Sequence, residues 1–122
     1  PYTPFGQTVW TVQEQARLAA QLPCLSGGGD ALPLMGAITP GQRWGLGRIP
    51  GAAFKGGWGP VGSGYLVRQF GTLTTPDGKT RGVAIMVQAP TFDAGTADLT
   101  RIASWLAPRL PHLPAGTCAG SR

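Results

Sequence analysis

Acidic residues are scarce in this chain of 122 residues, which has five Asp and Glu against ten Lys and Arg and a single histidine. An excess of positive charge indicates nucleic-acid binding only where basic side chains cluster and aromatic rings lie between them. Arginines are instead spread singly along the chain, as at Arg17, Arg43, Arg48, Arg68, Arg81, Arg101 and Arg109. We therefore expect a solvated basic surface and no nucleic-acid partner.

Cysteines and long apolar runs are also few. Cys24 and Cys118 lie near opposite ends without a second cluster of ligand residues, which argues against a zinc site. They can pair as one disulfide or stay two small apolar side chains, and the sequence leaves both readings open. No apolar run approaches the roughly 20 residues that span a bilayer. We expect no transmembrane segment in this chain, and any export signal would lie upstream of Pro1.

Glycine and proline are in contrast abundant, at 20 and 12 residues. They fall at the boundaries of apolar segments rather than at a fixed period, which excludes collagen-like and disordered chains. The apolar content of 42% is normal for a globular protein. The composition therefore favours a loop-rich α/β (α+β) domain.

Helical patterns occur in the N-terminal third. Thr11 and Glu14 form a capping box before an apolar stripe, which predicts a helix over Thr11 to Leu22. The glycine-rich stretch from Ser26 to Asp30 lacks the Lys-Ser/Thr pair of a phosphate-binding loop, so we interpret it as a flexible loop without a ligand. A short apolar helix is expected around Leu32 to Ile38.

Strand periodicity appears in the second half. Side chains alternate between two faces from Tyr65 to Leu73, and again from Gly82 to Gln88. In the first run Leu66, Arg68 and Phe70 share one face and Tyr65, Val67 and Gln69 the other, and in the second run Val83, Ile85 and Val87 share a face. Between these runs lies Thr75-Pro76-Asp77-Gly78, which has the residues of a tight turn. The two runs are predicted to form an antiparallel hairpin.

A closing helix is predicted from Thr96 onward, because apolar residues recur there at helical spacing. The apolar stripe consists of Leu99, Ile102, Ala103, Leu106 and Leu110. Asp98 is expected near the helix N-terminus, where the helix dipole favours an acidic residue, and Pro108 should end or kink the helix. We expect the stripe to pack on the sheet.

The most informative motif is Phe54-Lys55-Gly56-Gly57-Trp58, between an apolar lead-in and the hairpin pattern. It resembles the third signature of the serine β-lactamase and penicillin-binding-protein superfamily, in an actinobacterial Lys-Gly-Gly-Trp variant. The order of elements extends the resemblance over nearly the whole chain, including the run Gln42-Arg43-Trp44-Gly45-Leu46-Gly47 before the motif. The resemblance implies that residues 1–122 form the C-terminal portion of one β-lactamase/transpeptidase-like domain, an antiparallel sheet with flanking helices.

The resemblance also implies roles for the motif residues. Lys55 holds the substrate carboxylate, and the backbone N–H of Trp58 forms half of the oxyanion hole. Gly57 lets substrate backbone lie close against the strand. Gly56 stands where the family has a hydroxyl that bonds the substrate carboxylate, and Gly64 stands near the place of a carboxylate-binding arginine. The implied site uses no metal and no cofactor.

The nucleophile of the family is missing from this chain. Neither a Ser-x-x-Lys nor a Ser-Asp-Asn motif occurs among its serines, which are Ser26, Ser63, Ser104 and Ser121. A partner segment, the N-terminal part of the same domain, is therefore expected to supply the serine.

The function implied by the resemblance is that of a secreted or cell-envelope serine hydrolase. Such an enzyme acts through an acyl-enzyme on a β-lactam or a peptidoglycan-type peptide. The alternative is a non-catalytic exported protein that keeps the fold for binding. A third hypothesis is a self-standing small α/β module with a chance Lys-Gly-Gly. An intact Ser-x-x-Lys upstream of Pro1 would favour the enzyme.

Overall fold

A computed structural model describes residues 9–118 of the chain. In this part of the chain the fold is α+β, with a three-stranded antiparallel sheet packed against three helices. In chain order the elements are α1 (Val12–Gln21), α2 (Gly28–Gly36), β1 (Ala53–Val61), β2 (Gly64–Thr74), β3 (Thr80–Ala89) and α3 (Phe92–Leu106). Short 3-10 turns connect them, including Leu22–Cys24 after α1, Gly45–Arg48 before β1 and Ala107–His112 after α3.

The strand order is β1-β2-β3, so β1 and β3 are the edge strands of this sheet. β2 and β3 pair antiparallel along their whole length, which confirms the predicted hairpin. β1 and β2 pair antiparallel across the two-residue loop Gly62-Ser63. The strand that carries Lys55 therefore lies at one edge of the sheet.

One face of the sheet, called here the α3 face, carries the hydrophobic core. Strand side chains alternate between faces with a period of two, and those of Phe54, Val67 and Leu73 all point to this face and are fully buried. Leu99 and Ala103 of α3 are fully buried against them. The predicted packing of the closing helix on the sheet is confirmed. Each large apolar side chain buried in this way contributes roughly 1.5–3 kcal/mol.

The opposite face, called here the α1 face, is covered only in part. α1 approaches β3 so closely that a Cβ on Gly82 would lie 2.2 Å from the backbone oxygen of Ala16. The hydroxyl of Thr72 donates to the carbonyl of Ala19 over 2.6 Å. Met86, farther along the same face, is 44% exposed. A glycine at position 82 thus permits the helix–sheet contact, and the remainder of this face stays open.

α1 begins as predicted. The Thr11 hydroxyl accepts a hydrogen bond from the Glu14 N–H over 3.1 Å, and the Glu14 carboxylate accepts one from the Thr11 N–H over 2.6 Å. This reciprocal pair satisfies two amides that have no partner inside the helix. The helix ends at Gln21, one residue before the predicted end.

α2 begins earlier than predicted, and the interpretation of Ser26 to Asp30 as a loop is wrong from Gly28 onward. Gly27 adopts a φ of 82°, which favours glycine, and directly precedes the helix. A Cβ on Gly28 would lie 1.8 Å from the backbone oxygen of Leu22. Gly27 allows the turn and Gly28 allows the close backbone approach. The glycine-rich stretch therefore forms the start of a helix from Gly28 onward rather than a flexible loop.

α3 also begins earlier than predicted, at Phe92, where the hydroxyl of Thr91 caps the helix. The acidic residue of its first turn is therefore Asp93, and the placement of Asp98 near the N-terminus is wrong. The predicted helix began after Gly95 because glycine is a poor helix former and indicates a loop. A Cβ at Gly95 would lie 2.5 Å from Val67 Cγ2, so packing against β2 requires the glycine.

The end of the sheet at the β2–β3 turn is closed by a buried arginine. Arg81 is 4% exposed, and its Nη1 donates to the hydroxyl of Thr75 over 2.5 Å. Its Nε donates to the carbonyl of Leu113 over 3.2 Å, and its Nη2 donates to the carbonyl of Pro111 over 3.3 Å. The guanidinium therefore ties the segment after α3 to the hairpin turn.

A disulfide between Cys24 and Cys118 closes the same end of the molecule. It decides between the two readings that the sequence left open. Residues 113–118, called here the C-terminal strap, run from the Arg81 contacts to this bond. The strap passes the start of β3, where the N–H of Gly116 donates to the carbonyl of Thr80 over 2.8 Å.

Candidate functional site

The backbone of β1 presents hydrogen-bonding groups away from the sheet. In an antiparallel pair, alternate residues turn their N–H and C=O away from the partner strand. Pro60 has no N–H and suits such an outward position, and Trp58 and Gly56 lie two and four residues before it. In agreement with this parity, the ammonium of Lys55 reaches the carbonyl of Gly56 over 2.6 Å. The N–H of Trp58 therefore points outward from the edge of the sheet.

Lys55 lies on the α1 face of β1, and its side chain is exposed. It lines a concavity of ≈ 150 Å³ together with Trp10, Gln15, Gly56, Gly57, Arg68, Gln69 and Phe70. One wall is aromatic, because the ring of Trp10 meets that of Phe70 edge-on at 5.7 Å. Three of the five motif residues, Lys55, Gly56 and Gly57, thus line one concavity.

Arg68 is a second cation in this concavity. It lies directly opposite Gly57 in the strand register, and a Cβ on Gly57 would lie 3.9 Å from its Nε. Lys55 is its diagonal neighbour on the same face, within reach of long side chains. The ion pairs found among residues 9–118 involve Arg81 and Arg101, and neither Lys55 nor Arg68 joins one. Two cations that form no ion pair with a described residue favour an anionic ligand.

Arg68 was not predicted as a site residue. The family resemblance places the carboxylate-binding arginine at the start of the second strand, near Gly64. The register of the hairpin, which pairs Gly57 with Arg68, determines which residue faces the concavity. Alternation within β2 already placed Arg68 on one face with Leu66 and Phe70. A two-residue loop at Gly62-Ser63 pairs Val61 with Gly64, and this register places Arg68 opposite Gly57. Recognition of that loop in the sequence would therefore have identified Arg68.

The side chain of Trp58 lies on the α3 face, away from Lys55. Its ring contacts those of Phe92 and Trp44, with centroids at 5.1 Å and 5.9 Å. It is 44% exposed and forms the rim of an aromatic cluster. Only the backbone of Trp58 therefore faces the free edge, and its indole has a packing role.

Trp44 occupies the space in which a side chain at position 56 would lie. A Cβ on Gly56 would come 3.0 Å from Trp44 Cη2. Gln69, which is 1% exposed, holds this segment: its Nε2 donates to the Trp44 carbonyl and its Oε1 accepts from the Leu46 N–H, both over 2.7 Å. The hydroxyl that the motif lacks at Gly56 could be restored only if the indole moved.

A second concavity of ≈ 380 Å³ continues the first along β1. The two share Gly57 and Arg68. Gly59 has no side chain on this face, and Leu66 adds an apolar wall. The two concavities together form a trough along the edge strand, in which an extended chain could lie beside the outward backbone groups.

The trough contains no activated nucleophile within the part of the chain that the structure describes. Ser63 lies in the hairpin loop, and the hydroxyl of Ser104 donates to the Thr100 carbonyl on the exposed side of α3. Ser26 precedes α2, and Ser121 lies outside the described residues. Both cysteines are in the disulfide. The geometry can position and polarise a carbonyl, but attack on that carbonyl needs a group from elsewhere.

Comparisons with protein-family models, curated proteins and solved structures find no match to this chain. Among residues 9–118, no helix is long and apolar enough to cross a membrane. The disulfide favours an oxidising, extracytoplasmic environment, because intracellular thiols are usually kept reduced.

Proposed function

We propose that this chain is the C-terminal part of a secreted or cell-envelope serine hydrolase of the β-lactamase/DD-peptidase type. The enzyme forms an acyl-enzyme with a β-lactam or a peptidoglycan-type peptide. The observation that carries the proposal is the meeting of Lys55, Arg68 and the outward N–H of Trp58 along one edge strand. The cations suit a ligand carboxylate, and the N–H suits a carbonyl oxygen.

Each group has a separate role in the proposed reaction. Lys55 and Arg68 hold the carboxylate of the ligand by charge-assisted hydrogen bonds. The N–H of Trp58 stabilises the oxyanion of the tetrahedral intermediate, and such donors typically contribute about 3–4 kcal/mol. This donor belongs to the backbone, so the identity of the side chain at position 58 does not matter to it. Gly57 keeps the strand surface free for the ligand backbone.

An N-terminal part of the same domain supplies the nucleophilic serine in this proposal. The outer edge of β3 supports such a part, because the outward carbonyl of Thr80 sets the parity of the strand. By that parity Gly82, Ala84, Met86 and Gln88 also turn their backbone groups outward. Apart from the Gly116–Thr80 bond, no backbone hydrogen bond between described residues reaches this edge. Further strands could pair there.

A non-catalytic exported protein is the second candidate, and the surroundings of Gly56 favour it. The hydroxyl that should bond the substrate carboxylate is absent, and Trp44 takes its place. Such a protein would keep the two cations for binding and lose catalysis. An upstream Ser-x-x-Lys would support the enzyme, whereas its absence would support the binding protein.

The binding test uses benzylpenicillin, a β-lactam with one carboxylate, and its uncharged methyl ester. Amide chemical shifts of the chain should move along Lys55 to Trp58 and at Arg68, and the ester should bind at least about ten-fold more weakly, a loss of about 1.4 kcal/mol. Lys55→Gln and Arg68→Gln should each weaken binding of the acid. Lys79→Gln, at the distant β2–β3 turn, is the matched control and should not. Shifts that avoid β1, or equal binding of the ester, would contradict the proposal.

The catalytic test is intact-mass spectrometry after incubation with a reactive penicillin. The chain by itself should remain unmodified, because it has no activated serine. The same chain joined to its natural upstream region should gain one acyl group if that region carries Ser-x-x-Lys. A stoichiometric adduct on the chain alone, for example at Ser63, would refute the proposed division of the site.

A further inference from the structure

The C-terminal strap is held by two sets of bonds that differ in chemistry. Arg81 holds its beginning through a hydrogen bond to the carbonyl of Leu113, and a second bond holds the carbonyl of Pro111 just before the strap. Its end is held by the Gly116–Thr80 backbone bond and by Gln21, whose Nε2 donates to the Thr117 carbonyl over 3.3 Å. This second set lies next to the disulfide, so the two ends of the strap depend on different tethers.

The end of the strap buries little surface of its own. Pro114, Ala115 and Thr117 are exposed, and only Gly116 fits closely against α1, where a Cβ would come 2.9 Å from the Ala20 carbonyl. A concavity of ≈ 320 Å³ remains between this part of the strap and α1. A segment with few apolar contacts and exposed hydrogen bonds opens easily. The disulfide is therefore its main tether.

We propose that the Cys24–Cys118 disulfide is a redox-sensitive closure of the outer edge of β3. A dithiol reductant transfers two electrons and two protons: the S–S bond breaks, the two cysteines become thiols, and the reductant becomes a disulfide. Residues 114–118 then leave the sheet, while Arg81 keeps Pro111 and Leu113 in place.

Release of the strap frees the Thr80 carbonyl. In the reduced protein the outward backbone groups of β3 are free from Thr80 to Gln88. In the oxidised protein they are free only from Gly82 to Gln88. Unprotected edge strands readily accept another strand, and β3 contains no proline or lysine that would blunt its edge. The closure thus limits strand pairing at this corner for as long as the disulfide is intact.

The test is hydrogen exchange of the native chain before and after treatment with dithiothreitol. The Gly116 amide should lose protection by about ten-fold or more on reduction. The Leu113 amide, which donates to Leu110, and the central amides of β3 should keep theirs. The Cys24→Ser/Cys118→Ser variant should show the released pattern with and without the reductant. Gln21→Ala, which removes one strap bond and leaves the disulfide, should keep the closed pattern when oxidised.

Two results would overturn the proposal. Unchanged protection of Gly116 after reduction would show that the strap does not depend on the disulfide. Joint loss of protection at Gly116, at Leu113 and throughout β3 would show that the bond holds the whole fold rather than the strap.

Discussion

The two edges of the sheet are built in opposite ways. At the start of β3, Arg81 and the disulfide join the C-terminal segment to the sheet, and α1 presses on Gly82. At β1, glycines replace side chains, Lys55 and Arg68 have no acidic partner among the described residues, and backbone groups point outward. Intramolecular bonds are therefore concentrated at the start of β3, and groups that are free to bind a ligand are concentrated along β1.

This contrast has a simple physical basis. A backbone or charged group already bonded inside the protein must lose that bond before it can meet a ligand, whereas an outward group exchanges only water. The bonded start of β3 therefore contributes mainly to stability, and the β1 edge is available for recognition. Substitutions at the two edges should differ accordingly.

Removal of the disulfide should have the largest effect on the closed edge. The bridge spans a sequence separation of 94 residues, and closing so long a loop stabilises by about 4–5 kcal/mol on the chain-entropy model. Cys24→Ser/Cys118→Ser should lower the free energy of unfolding by about this amount in urea titrations of the oxidised protein. A loss below about 1 kcal/mol would show that the bridge constrains the unfolded chain little.

Replacement of Arg81 should cause the next largest loss in the free energy of unfolding. Arg81→Met keeps most of the length of the side chain but leaves the carbonyls of Pro111 and Leu113 without the donors of two part-buried hydrogen bonds, and we expect a loss of about 2–4 kcal/mol for the two acceptors together. The matched control is Arg101→Met, because Arg101 forms an exposed pair with Asp98 on α3 and should cost less than about 1 kcal/mol. Equal losses in the two variants would remove the distinction between buried and surface arginines.

Alanine substitutions at two strand glycines compare the edges directly. Gly82→Ala should cost about 1–3 kcal/mol or more, because its methyl group would collide with the backbone of α1. Gly59→Ala, at the open edge, meets nothing within 4 Å and should change stability by less than about 0.5 kcal/mol. Thermal unfolding of both variants would measure the difference, and a reversed order would refute the assignment of closed and open edges.

The hydroxyl missing at position 56 can be reintroduced to sharpen the comparison within the open edge. Gly56→Ser should destabilise by about 1 kcal/mol, because the new side chain crowds the indole of Trp44. Combining it with Trp44→Leu should cost less than the sum of the two single changes, since the smaller side chain leaves room. Additive losses in urea titrations would show that the two positions do not compete for space.

The smallest expected effect is a pH dependence at the β2–β3 turn. The hydrogen bond from Thr75, helped by the Lys79 N–H and the charge of Arg81, lowers the pKa of Asp77 below its usual value. A lowered pKa stabilises the fold above the unfolded-state pKa of about 4, and the benefit is lost as the pH falls through the lower folded pKa. Asp77→Asn should therefore flatten the acid side of the stability profile. Parallel profiles for the two proteins from neutral to acid pH would contradict this.

Local patterns predicted most of the secondary structure. The capping box at Thr11, the alternation in β2 and β3, and the stripe of α3 each reflect burial along a single element, so they can be read without knowledge of the fold. The starts of α2 and α3 were missed because Gly28 and Gly95 suggest loops. Both glycines are required by contact with a neighbouring element, which a local pattern does not contain.

In the candidate site, too, the residues of the local motif were predicted and the residue that depends on strand register was not. The motif identified Lys55, Gly56 and Gly57, and the structure brings these three to one concavity. Arg68 was missed, because its place opposite Gly57 depends on hairpin register. The catalytic and substrate-binding roles of Lys55, Gly56, Gly57 and the Trp58 N–H stay predictions that the binding and acylation tests address.

The sequence by itself determined the periods of burial, the helix cap and the strand that carries the lysine, because each depends on residues within a few positions of one another. Only the tertiary structure decided that Cys24 meets Cys118, that Arg81 holds the C-terminal segment and that Trp44 fills the space above Gly56. These contacts join residues 12 to 94 positions apart, and they form only when helices, strands and strap pack simultaneously.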